Sequence, residues 1–178
     1  MSQILAGDLL VAPPSLSHSE FAGSVVMMVS REPTMGFVLN QTTGTELKRI
    51  APTLTQFSHR EIYWGGPVNT ATIWMLHTAD WTMHNTVRMN DQWAVTSNML
   101  MFDHVIQQGW PQYWRVFAGC SVWAPGQLER EVEQLSSRDQ GWLVAHAPEP
   151  KTLLATNPRN LWQASCEWAK TQAVAQWF

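Results

Sequence analysis

The stretch from Phe117 to Glu131, FAGCSVWAPGQLERE, constrains this chain more than any other. An apolar run that reads as a strand passes Gly119, Cys120 and Trp123 and turns through Pro125-Gly126. An amphipathic acidic helix is expected from Gln127 to Leu135, with Leu128, Val132 and Leu135 on one stripe. A chain organised around such a joint contains both sheet and helix.

The flanking sequence mixes the two without regular alternation. Leu9 to Ala12, Ser24 to Ser30, Gly36 to Asn40, Ile62 to Trp64, Thr72 to His77, Tyr113 to Ala118 and Trp142 to Ala147 read as strands. SVVMMVS is continuous and β-branched, as expected of a strand buried on both faces. Thr45 to Ile50 suits one or two helical turns, and Asn90-Asp91 a hairpin turn between Asn85–Met89 and Gln92–Ser97. Asn98 is expected to cap a helix to Gln108, with Met99, Phe102, Val105 and Ile106 inward and Gly109 as its stop. Asn160 is expected to cap a last helix aligning Trp162, Cys166, Ala169 and Ala173. Strands that first follow one another and later alternate with helices favour an α+β fold.

The 178 residues argue for one domain spanning the chain. A chain of this length buries roughly 70% of its unfolded surface, enough for a core without disulfides or metal. Only 14% of residues are charged, while eleven are Trp and nine are Met, so the Trp residues are expected to fill the core. Net charge is −3 and the basic residues are scattered, which disfavours nucleic-acid binding. No apolar run approaches the roughly 20 residues of a membrane span. MSQILAGDLL lacks a basic segment ahead of a long apolar one, and Cys120 and Cys166 lie far apart. Together these favour a reducing compartment with no membrane association.

Several separated motifs agree with one family. LAGDLLVAPPSL with FAGSVV near the N-terminus, MGFVLN at Met35 to Asn40, GGPV at Gly65 to Val68, Leu76-His77, and Gly119, Trp123, Gly126, Gln127, Leu128, Glu129 and Glu131 in the joint follow its order and spacing. The sequence resembles the YqgE/AlgH family over about residues 5 to 170. The resemblance implies a single α+β domain with a bifurcated mixed β-sheet, partly closed into a small barrel and surrounded by helices. It also implies a bacterial, cytoplasmic type of protein, in a family some of whose members have been described as transcriptional regulators. The chain departs from the family's pattern at Cys120, where an aromatic residue is common, and at Val29, Gln41 and Val122.

Candidate chemistry is sparse. Cys120, expected at a strand end near a helix start, is the candidate reactive thiol, since a helix N-terminus favours thiolate. The alternative is a small buried residue. His77, Asp80 and His84 form no strong zinc pattern, and neither metal nor cofactor is expected. Gly65-Gly66-Pro67 suits a fixed turn better than a phosphate cradle, because Pro67 removes a donor. Glu129 and Glu131 fall on opposite flanks of the helix and diverge. Gln127 and Glu129 either satisfy neighbouring backbone groups or contact a ligand. The expected surface for a protein or small-molecule partner joins Asn40, Gly65, Gly66, Pro67, His77, Trp123, Gln127 and Glu129. A sheet edge or the Trp-rich last helix could also support a homodimer.

Overall fold

The computed structural model of the chain describes residues 3–16, 19–133 and 141–176. Ten strands form the sheet: β1 (Asp8–Val11), β2 (Val25–Arg31), β3 (Thr34–Val38), β4 (Thr42–Glu46), β5 (Glu61–Trp64), β6 (Val68–Thr78), β7 (Thr86–Arg88), β8 (Trp93–Thr96), β9 (Trp114–Trp123) and β10 (Leu143–His146). The helices are α1 (Met101–Gln108), α2 (Gln127–Glu133), α3 (Pro150–Ala155) and α4 (Pro158–Ala175). The main path runs β10-β1-β2-β3-β9-β6-β8-β7 and curls into a half-barrel, with β4 and β5 branching from β9. The fold is α+β with a bifurcated mixed sheet, as the family resemblance implies.

Period-two alternation distributes the apolar runs over both faces. In β1 and β2, Leu9, Val11, Val25, Met27 and Val29 join one core with Phe37, Phe117 and Leu161 of α4. Leu10, Val26 and Met28 point the opposite way, to Trp123, Trp142 and Leu128 of α2. A third cluster packs α1 (Met101, Phe102, Val105) against Ile62, Met75 and Trp114. Among the described residues no Trp is exposed, consistent with their expected place in the core.

β9 is the spine. One edge pairs antiparallel with β6, from Trp114 opposite His77 to Cys120 opposite Val68. The other edge changes partner midway. Phe117 and Ala118 pair in parallel with Tyr63 and Trp64 of β5, whereas Ser121 to Trp123 pair antiparallel with Gly36 to Thr34 of β3. The sheet therefore forks beside Gly119-Cys120, and Gly65-Gly66 fills the fork. Gly65 N–H donates to the Ala118 carbonyl at 2.9 Å, and the Gly65 carbonyl accepts from Val38 N–H (2.9 Å) and Ser121 Oγ (3.2 Å). A Cβ on Gly66 would stand 2.3 Å from the Cys120 carbonyl carbon, so only glycine permits this approach.

The structure corrects several expectations. β9 does not end near Ala118. Gly119, at φ +74°, bends the strand without stopping it, and pairing continues to Trp123. In α1 the buried residues are Met101, Phe102 and Val105, while Met99 and Ile106 are 48% and 53% exposed. Asn98 accepts from Leu100 N–H in the turn before α1, which begins two residues later than expected. Asn157, not Asn160, caps α4 by accepting from Arg159 N–H at 3.0 Å, with Pro158 at the first helical position. Thr45 and Glu46 belong to β4, leaving a single 3-10 turn at Leu47–Arg49. Helix α3 was not expected. Leu135, placed on the α2 stripe, lies outside the described residues.

Candidate functional site

The turn after β9 brings a polar network to the start of α2. Ala124 N–H donates to Gln127 Oε1 at 2.9 Å, which ties the turn to the first helical residue. Gln127 Nε2 donates to Glu131 Oε1 at 2.8 Å, one helical turn on. Glu131 Oε2 accepts from two indoles, Trp123 Nε1 at 3.0 Å and Trp142 Nε1 at 2.9 Å. One carboxylate thus holds Trp123 and Trp142 at 78° to each other, and Phe21 packs edge-on to Trp142 with ring centroids 5.7 Å apart.

These residues wall a groove of about 430 Å³, together with Pro67, Ser121, Val122 and Glu20. Among the described residues its carboxylates are Glu20 and Glu131, and no Lys or Arg lines it. Val122 of β9 is 42% exposed on its wall.

The structure brings together only part of the expected surface. Pro67, Trp123 and Gln127 meet in the groove. Glu129 leaves it, turning toward Arg31 of β2 in an ion pair; the Arg31 guanidinium holds the Glu129 carboxyl below the usual carboxylate range. Glu129 and Glu131 diverge, as the helical spacing predicts. Gly65 and Gly66 are buried in the fork and offer no side of themselves to a partner. Asn40 is a backbone clamp: its Oδ1 accepts from Val25 N–H (3.0 Å) and its Nδ2 donates to the Gly23 carbonyl (2.9 Å).

His77 is fully buried on β6, with Nδ1 at 2.9 Å from the Thr78 carbonyl and Nε2 at 2.9 Å from Thr96 Oγ1. Burial pushes its pKa down, against opposing pulls from the Thr78 carbonyl and Asp80. Asp80 accepts from Gln112 N–H, and no group of three or more His, Cys, Asp or Glu able to hold a metal occurs among the described residues. Cys120 lies within β9, not at its end. It is 2% exposed, its Sγ contacts the Val68 carbonyl at 3.7 Å, and burial pushes its thiol pKa up. The proposed thiolate-stabilising helix start lies beyond three further strand residues.

Sequence reasoning missed Phe21 and Trp142 as walls of the groove and Glu131 as its anchor. Gln127 and Glu131, four apart on α2, were legible as neighbours on one helix face, but their meeting with the Trp123 indole of β9 was not. Phe21 and Trp142 reach the groove through strand pairing remote in sequence.

Comparison with known proteins agrees with the motifs. The AlgH-like family model matches residues 9–173. A UPF0301 protein of Sphingopyxis alaskensis is 30% identical over 166 residues, covering 89% of this chain and 86% of that protein. A UPF0301 protein of Brucella melitensis is 32% identical over 160 residues, covering 81% and 76%. Among solved structures, the AlgH protein of Pseudomonas aeruginosa superposes with a TM-score of 0.75 at 25% identity, covering 94% of this chain and 92% of that one. A Corynebacterium diphtheriae protein gives 0.71 at 26% identity, covering 92% and 86%. No helix among the described residues is long and apolar enough to cross a membrane. The chain belongs to the AlgH-like family, whose molecular function is uncharacterised.

Proposed function

We propose that this chain is a non-enzymatic, cytoplasmic binding domain that receives a segment of a protein partner in the groove between β9 and α2. The observation that carries this reading is a groove in which the exposed Val122 and the partly buried Phe21 stand over a floor of Trp123 and Trp142, two buried indoles fixed by Glu131, with two carboxylates and no Lys or Arg among its described lining residues. The fixed indoles make the groove floor rigid, so a partner meets a preorganised surface, and Phe21 and Val122 supply the apolar contact. The acidic lining suits a segment that combines an apolar side chain with Lys or Arg. An enzyme centred on Cys120 is less well supported, because burial raises the pKa of the thiol and its hydrogen-bond partner among the described residues is the Val68 carbonyl, not a His.

Fluorescence anisotropy with short labelled peptides tests the reading. Peptides pairing Leu or Phe with Lys or Arg should bind saturably, and the same peptides with Asp in the basic positions should bind at least about tenfold more weakly. Val122→Arg, on the groove wall, should abolish binding. Val87→Arg, on the exposed β7 strand, should leave it intact. Equal affinity for the basic and acidic sets, or undiminished binding to Val122→Arg, would sink the proposal.

A further inference from the structure

A second cavity, of about 460 Å³, opens at the start of β9, at the other end of the strand from the groove. Arg115 lines it and is only 7% exposed. Its Nη1 donates to the Leu39 carbonyl at 2.7 Å and its Nη2 to the Leu154 carbonyl at 3.4 Å, and its guanidinium lies 4.2 Å from the centre of the Tyr63 ring. All three partners are neutral. Arg60 lines the same cavity, stacked 4.4 Å over Trp114 and 4.6 Å over Phe57. Neither arginine forms an ion pair with a carboxylate among the described residues.

A buried charge is costly unless paired, and proteins ordinarily supply a carboxylate. Here two cations of the same sign share one opening instead. Burial lowers the pKa of both, and the charge of Arg60 adds to the effect at Arg115. An anion in the cavity would offset both desolvation and repulsion. The planar guanidinium fork matches carboxylate and phosphate oxygens, and Tyr113 and Gln112 add polar groups to the lining. Glu61 also lines the cavity, but it is exposed to solvent, where screening weakens its charge.

We propose that this cavity binds a small anionic molecule through a carboxylate or phosphate group held by Arg115 and Arg60. The volume falls within the range of small-molecule sites. This site is separate from the peptide groove, and either could fail without the other.

Calorimetric and thermal-shift titrations of the whole chain test it, with inorganic phosphate, citrate and a nucleoside monophosphate as probes and sodium chloride at equal ionic strength as baseline. At least one probe should bind saturably and raise the unfolding temperature beyond the chloride baseline. Binding of phosphate alone, or of citrate alone, would assign the group recognised. Arg60→Gln, at the exposed edge of the cavity, should weaken that binding by about tenfold or more. Arg88→Gln, an exposed β7 arginine paired with Asp91, should not change it. Arg115→Gln should abolish binding, and if that variant fails to fold, Arg60→Gln still decides the question. No saturable binding of any probe, or binding that Arg60→Gln leaves within twofold, would overturn the proposal.

Discussion

Side chains of one type do opposite work in α2. Among the described residues Glu131 is the shared acceptor for three donors: the Trp123 and Trp142 indoles and the Gln127 amide. Glu129 makes an ion pair whose partners remain 29% and 45% exposed, a class worth little in water. Removing a shared acceptor strands each donor, at about 1–3 kcal/mol apiece where burial is complete. Glu131→Leu should therefore cost about 3 kcal/mol, Gln127→Ala about 1 kcal/mol and Glu129→Ala less than about 1 kcal/mol. Urea unfolding of the three variants checks the order. A Glu129→Ala loss as large as that of Glu131→Leu would mean that the Arg31 contact, and not the indole network, fixes the helix. The motif GQLERE thus contains a structural Glu131 that its sequence does not separate from its neighbours, because which carboxylate meets two indoles is decided by Trp142, far along the chain.

The fork in the sheet shows how far elements can be read from sequence. β1 and β2 are legible because strict alternation over apolar residues sends successive side chains to two cores. The joint from Trp123 through Pro125-Gly126 to Gln127 is legible for the same local reason: each residue type suits its own backbone. The continuation of β9 is not, since Gly119 reads as a stop until β3, β5 and β6 are all present to pair with it. Arg115 did carry a signal. It shares parity with the core residue Phe117 in an apolar strand, so its guanidinium had to be buried or to line an opening. The groove was half legible, through Trp123 and Gln127, and its remaining walls arise from nonlocal pairing. The fork itself makes a sharp prediction. A methyl group at Gly66 meets Cys120 and Ser121 backbone atoms at 2.3–2.4 Å, with no side chain able to move aside. Gly66→Ala should cost about 3 kcal/mol or more in denaturant unfolding. By contrast Gly44→Ala, at a positive-φ position with no atom within 4 Å of the added carbon, should cost about 1 kcal/mol through backbone strain alone. Equal effects would mean that the fork relaxes and that β9 is not tightly wedged.

At the scale of the whole molecule, one strand joins two openings. β9 has ten residues, so at about 3.3 Å per residue, and with the bend at Gly119, its ends lie at most about 30 Å apart. Tyr63 and Trp114 border the cavity near its start, while Ser121 to Trp123 border the groove at its end. Between them stands the glycine-packed fork, where Gly65, Gly66 and Gly119 bring backbone directly against backbone. Coupling between distant sites needs an element with two arrangements that both sites bias. A joint closed by main-chain contacts has little room for a second arrangement, because any shift would disrupt the pairing of β3, β5 and β6 at once. The two openings should therefore act independently. In a stability cycle, the double variant Arg60→Gln/Val122→Arg should equal the sum of the single variants within about 0.5 kcal/mol, as expected of sites with no shared partner. The anion affinity of Val122→Arg should match that of the unmodified chain within about twofold by the same reasoning. Linkage makes a binding effect reciprocal: any change in peptide affinity on saturation with phosphate must appear equally in phosphate affinity on saturation with peptide. A coupling above about 1 kcal/mol in either cycle would locate a movable element in the fork, and Gly119, where the strand changes partner, would be its hinge.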